Sequence, residues 1–117
     1  MPAAATIYHN PRCSKSRQTL ALLEARGIEP TVVRYLDEPP TPKTLDRLCK
    51  ALGLEPQALA RTKEARFKEL GLKEGTRTRA EWLKVLSQNP VLIERPIVVV
   101  GERAAIGRPP ENVLELL

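Results

Sequence analysis

The chain has 117 residues, of which 42% are apolar and 28% charged, with a formal net charge of +5. These totals fit one globular domain rather than a disordered chain, and no apolar run approaches the roughly 20 residues that cross a bilayer. Basic residues are interspersed with acidic ones, aromatic residues are only 3%, and no nucleic-acid motif is present, so neither nucleic acid nor membrane is an expected partner. Arginine outnumbers lysine twelve to seven, which suits bidentate recognition of oxyanions. The opening Met1-Pro2-Ala3-Ala4-Ala5 lacks a basic stretch followed by a long apolar core, which leaves the cytoplasm as the expected compartment, with Cys13 and Cys49 as reduced thiols. His9 is the only histidine and no cysteines are paired in spacing, so no metal site is expected.

In chain order, Thr6-Ile7-Tyr8 reads as a short buried strand that leads into the loop Tyr8-His9-Asn10-Pro11-Arg12-Cys13-Ser14-Lys15-Ser16-Arg17. A helical pattern follows from Ser14 to Arg26, with Leu20 and Leu23 recurring and Gly27 suited to the C′ position. The loop therefore delivers Cys13 to the first turn of a helix. There, unpaired N–H groups and the positive end of the helix dipole favour a thiolate over a thiol. Arg12, Lys15 and Arg17 add positive charge, and the hydroxyls of Ser14 and Ser16 can donate to the sulfur or to a bound oxyanion.

Thr31-Val32-Val33-Arg34-Tyr35-Leu36 is rich in β-branched and aromatic residues and reads as a second strand, parallel to the first through a right-handed crossover. Thr41 as N-cap and Pro42 at the first helical position open a helix that stops at Gly53. It places Leu45, Leu48, Cys49 and Leu52 at i, i+3, i+4 and i+7, so Cys49 is read as core. Further helical pieces cover Glu55 to Ala60, Ala65 to Leu70 and Thr78 to Ser87, with Trp82 as core. Together they form a helical insertion at roughly 42–88 within a single domain spanning 1–117.

After Asn89-Pro90, the run Pro96-Ile97-Val98-Val99-Val100 suggests a central strand with proline at its first residue. Gly101-Glu102 turns the chain into an antiparallel partner at Ala104-Ala105-Ile106, and Pro109 to Leu117 reads as a last helix with Val113, Leu114 and Leu117 facing inward. Arg95 and Arg108 each precede a proline, which pushes them out of the α region and onto strand or turn edges. The order is βαβ, helical insertion, ββα. That is an α/β chain with the order of a thioredoxin-like fold, in which a reactive cysteine opens the first helix.

The segments His9-Asn10-Pro11-Arg12-Cys13-Ser14-Lys15-Ser16-Arg17, Arg61, Glu94-Arg95-Pro96-Ile97-Val98 and Gly107-Arg108-Pro109-Pro110 resemble the glutaredoxin-coupled arsenate reductases, the ArsC-like family, over essentially the whole chain. The resemblance implies reduction of arsenate to arsenite with Cys13 as nucleophile and Arg61, Arg95 and Arg108 as the oxyanion-binding set. It further implies a cis peptide at Arg95-Pro96, glutathione as co-substrate, glutaredoxin as partner and no tightly bound cofactor. A single protein cysteine suffices for that chemistry, in keeping with Cys13-x-x-Ser16. His9 has two readings, a hydrogen bond that holds the loop or a charge that lowers the Cys13 pKa. Ser16 also has two, a first-turn residue or a hydrogen bond to the thiolate.

Two other functions fit the same residues. One is a glutathione-dependent thiol oxidoreductase acting on another substrate. The other is an Spx-like regulator that binds RNA polymerase, a class that typically carries a Cys-x-x-Cys switch where Ser16 stands here. A monomer is expected, because one core accounts for the apolar residues.

Overall fold

A computed structural model describes residues 4–117, so the part of the leaderless-start reading that rests on Met1–Ala3 lies outside the described residues. The chain divides into two compact units, one made of residues up to Glu38 together with Arg95–Leu117, the other of Pro39–Glu94.

The first unit contains β1 (Ala5–Tyr8), α1 (Ser14–Ala25), β2 (Thr31–Val33), β3 (Ile97–Val100), β4 (Arg103–Ile106) and a 3-10 helix, Pro110–Leu116. The sheet order is β2-β1-β3-β4, with β1 parallel to β2 and antiparallel to β3, and β4 antiparallel to β3. This is the expected thioredoxin-like arrangement, with the apolar β3 between two partners. Cross-strand register aligns Ile7 with Val98 and Val98 with Ala105. That row carries Leu23 of α1 and Val113 and Leu116 of the 3-10 helix, so the core of this unit is closed by both ends of the chain.

Two expectations change here. β2 stops at Val33 instead of Leu36, because the Arg34 carbonyl accepts the N–H groups of Asp37 and Glu38 at 3.0 and 2.8 Å and turns the chain. Tyr35 is buried while Leu36 is exposed. The last element is a 3-10 helix, whose period of three brings i and i+3 to the same side. Val113 and Leu116 are therefore buried, whereas Leu117, expected to face inward, is 51% exposed.

The second unit is helical: α2 (Pro42–Leu52), a 3-10 turn at Pro56–Leu59, α3 (Ala65–Glu69), α4 (Arg79–Gln88) and a 3-10 turn at Pro90–Leu92. Thr41 caps α2 by accepting the Thr44 N–H at 3.1 Å, and Gly53 ends it in the left-handed region at φ 69°. That conformation costs glycine nothing. Leu45, Leu48 and Cys49 are buried as the spacing predicts, although Leu52 is only half-buried. The expected helix at Glu55 to Ala60 contracts to a 3-10 turn. Ala60 then leaves it in extended geometry and bridges Ile93 antiparallel.

A reciprocal capping box between Thr78 and Glu81 starts α4, which buries Trp82, Leu83 and Leu86. Arg77 lies over the Trp82 ring at 5.6 Å from its centroid. Arg79 joins α4 to α2 through Asp46 at 2.9 Å. Among the described residues, no helix is long and apolar enough to cross a membrane.

The period of the last helix is open to test by unfolding. Leu116→Ala should cost about 2–3 kcal/mol in urea-measured stability, the usual range for emptying a buried leucine site. Leu117→Ala should stay within about 0.5 kcal/mol. An α-helical end would reverse that order.

Candidate functional site

Cys13 is the N-cap of α1, one residue outside the first turn in which the sequence places it, with extended backbone at φ −94° and ψ 122°. Its carbonyl accepts the Arg17 N–H at 3.0 Å, so the helix begins immediately after it. Sulfur takes the place that a Ser or Asp oxygen usually fills at such a cap. The Ser16 and Lys15 N–H groups reach it as dipoles, without closing a regular cap hydrogen bond. No acidic residue stands in the first turn of α1.

The loop before the cap is held by buried polar side chains. Asn10 N–H donates to Ser16 Oγ at 3.0 Å, and the Ser16 hydroxyl lies 2.6 Å from His9 Nδ1. The hydroxyl and Nδ1 share one proton, carried by either according to the ring tautomer. Asn10 is used twice more: its carbonyl accepts the Cys13 N–H at 3.0 Å and its Oδ1 accepts the Arg12 N–H at 3.0 Å. His9, Asn10 and Ser16 are all buried. Burial, and next the charges of Arg34 and Arg17, hold His9 below its ordinary pKa, which favours the neutral ring.

Two arginines converge on the sulfur from the other half of this unit. The Arg95 side chain hydrogen-bonds Cys13. Arg108 donates Nε to the Arg95 carbonyl at 2.7 Å and Nη2 to Cys13 Sγ at 3.5 Å. Both precede cis prolines, Pro96 and Pro109, of which the family resemblance implies only the first. Partial burial opposes ionisation of Cys13, yet the Ser16 N–H, the hydrogen bond and charge of Arg95 and the Lys15 N–H outweigh it and hold the thiol below its ordinary pKa. The thiol is half-exposed. By contrast, burial raises the Cys49 thiol pKa.

Gly107 is what lets Arg108 come so close. Its N–H donates to the Pro96 carbonyl at 2.9 Å, and an added Cβ would stand 2.5 Å from Thr19 Oγ1 and 2.8 Å from Pro96 Cγ. Neither Gly107 nor Asn10 is singled out by residue type. The Asn-Pro pair is a turn signal that points to Asn10, whereas nothing in the sequence marks the contact between Gly107 and Thr19.

Of the six site residues expected, Cys13, Arg95, Arg108, His9 and Ser16 come together in the first unit. Arg61 belongs to the second. There its N–H donates to the Leu92 carbonyl, Nε to Glu64 at 3.2 Å and Nη1 to Glu94 at 2.8 Å. A cleft of about 870 Å³ lined by Ile28, Val100, Arg103 and Leu117 lies toward the far end of α1 and includes none of the site residues. Among the described residues, no three His, Cys, Asp or Glu side chains gather as metal ligands.

The model of the ArsC family matches residues 8–116. The chain is 50% identical to the uncharacterized protein YfgD of Escherichia coli, across 95% of this chain and 94% of that one. It is 48% identical to an arsenate reductase of Haemophilus influenzae, across 95% and 97%. Among solved structures, an arsenate reductase from Vibrio cholerae superimposes with a TM-score of 0.96 at 48% identity, covering all of both chains.

The electrostatics of the cap give a direct expectation for alkylation by iodoacetamide. The pH midpoint for Cys13 should fall below that of a free thiol, and Arg95→Ala should move it upward by removing a hydrogen bond and a charge. An unchanged midpoint in Arg95→Ala would show that the arginine does not act on the sulfur.

Proposed function

The chain belongs to the ArsC family, and from that premise we propose that it is an arsenate reductase using glutathione and glutaredoxin through the single nucleophile Cys13. The observation that carries this reading is the half-exposed Cys13 sulfur at the start of α1, reached by both Arg95 and Arg108. A nucleophile and two guanidinium groups at one point suit a tetrahedral dianion. Arg61 is the third member of the oxyanion set in this reading.

The Cys13 thiolate attacks arsenic, forming an S–As bond as one oxygen leaves as water. Glutathione then adds its thiol to arsenic with loss of a second water. The glutaredoxin thiolate attacks the glutathione sulfur, and the electron pair of the broken S–As bond passes to arsenic, reducing As(V) to As(III). The oxidised product is the mixed disulfide of glutaredoxin and glutathione. Water then displaces Cys13, releasing arsenite and returning the thiolate.

Arg95 and Arg108 neutralise charge on the oxyanion while it is attacked. Neutral His9 and buried Ser16 act on the loop: their hydrogen bond and the one from Asn10 fix the cap. No cofactor is held between turnovers, and the protein works in the cytoplasm as a monomer. The regulator alternative is disfavoured by position 16, where a buried hydroxyl bonded to His9 and Asn10 stands in place of a second switch thiol.

The test is arsenate-dependent NADPH oxidation coupled through glutathione, glutaredoxin and glutathione reductase. Cys13→Ser should abolish it, and Arg95→Ala or Arg108→Ala should lower kcat/KM by about two decades, as expected for losing a preorganised charge. Full turnover in Cys13→Ser would sink the mechanism. Absence of arsenate turnover with Cys13 still readily glutathionylated would instead favour the thiol oxidoreductase.

A further inference from the structure

The cations around Cys13 exceed what a small oxyanion uses. The chain has no acidic residue before Glu24, yet Arg12, Lys15 and Arg17 lie in that stretch, all exposed. Arg17 folds back so that Nη1 donates to the Pro11 carbonyl at 2.9 Å, which keeps its charge over the loop. Arg34 is exposed just after Val33, whose carbonyl accepts the His9 N–H at 2.8 Å, so it flanks the same loop. The effect of Arg17 and Arg34 on His9 agrees with that placement.

Elsewhere in the protein, some of the cations are matched. In the second unit Lys50, Arg66 and Arg79 each pair with a carboxylate. Among the described residues, Arg12, Lys15, Arg17 and Arg34 have no carboxylate within 4.0 Å. Asp37 and Glu38, in the turn after Arg34, and Glu111, which shares a shallow cleft with Gln18 of α1, mark the edges of the patch. Ala21, Leu22 and Pro110 line the same cleft and offer an apolar contact beside the cations.

We propose that Arg12, Lys15, Arg17 and Arg34 form a docking surface for an acidic, thiol-bearing protein that reduces a sulfur adduct on Cys13. This rests on the proposed function and specifies how its protein reductant is recognised. Exposed, unpaired charges along the loop that carries a half-exposed nucleophile act mainly on encounter: they raise the association rate of an oppositely charged partner and lose that effect in salt. A polyanionic nucleic acid is the less suitable occupant, since aromatic residues for base stacking are scarce in this chain.

The test does not need arsenate, so its outcome is independent of whether arsenate is the substrate. Cys13 of the full chain is converted to its glutathione disulfide, and the second-order rate of its reduction by an acidic glutaredoxin is followed. In that step the glutaredoxin thiolate takes the glutathione sulfur and the Cys13 thiolate leaves. The rate should fall roughly tenfold between about 20 mM and about 0.5 M NaCl. Arg12→Glu and Arg34→Glu should each lower it roughly three- to tenfold at low salt. Reduction by the neutral thiol 2-mercaptoethanol should stay within about twofold in the same variants, because the chemistry at Cys13 is untouched. Rates with glutaredoxin that are indifferent to salt in the wild-type chain would overturn the proposal without any variant. So would variants that slow both reductants equally, or a salt-insensitive reduction accompanied by charge-dependent capture of a single-stranded oligonucleotide.

Discussion

The hydroxyl of Ser16 is the fixed point of the loop that presents Cys13. It is fully buried, accepts the Asn10 N–H and meets His9 Nδ1 at 2.6 Å. A buried hydroxyl left without partners would be costly, so the three residues hold one another in place. Asn10 then passes the constraint forward, since its carbonyl binds the Cys13 N–H and fixes the residue as the cap of α1. The backbone of Cys13 is thus placed by the loop, and its sulfur is then met by Arg95 and Arg108.

Once the cap is set, the state of the thiol is a balance between burial and dipoles. Half-burial alone would keep the proton on, and the N–H groups of Ser16 and Lys15 with the Arg95 guanidinium reverse that. Arg108 enters by a different route. Its Nε is anchored on the Arg95 carbonyl, so one arginine's backbone positions the other's side chain. The approach is close only because Gly107 presents no Cβ to Thr19 and Pro96. The site is therefore a meeting of two chain segments far apart in sequence, brought together by the pairing of β1 with β3.

Those parts of the fold governed by local chemistry were readable from residues alone. Thr41-Pro42 and Gly53 bound α2 because cap, fixed φ and left-handed stop are properties of single residues. The alternation of strand and helix around Cys13 follows from the apolar runs and the cysteine loop. What escaped depended on tertiary detail. The end of β2 was decided by two hydrogen bonds to the Arg34 carbonyl, and the 3-10 period of Pro110–Leu116 exchanged Leu117 for Leu116 in the core. At the site, cysteine, arginine, histidine and serine advertise their chemistry. Asn10 acts through its backbone and amide together, and Gly107 through an absence, so neither stands out in a string of letters.

The buried hydroxyl at position 16 also fixes how any oxidised state of Cys13 is relieved. A thiol one turn along α1 would close a ring with Cys13 at a high effective concentration, on the order of millimolar or above for so short a tether. The disulfide would then form within the molecule whatever the surroundings. With Ser16 there, a mixed disulfide on Cys13 receives no such help from its own helix. Its lifetime is a second-order quantity, set by how much thiol the surrounding solution supplies, so the protein's redox state reports the external thiol pool rather than an internal one.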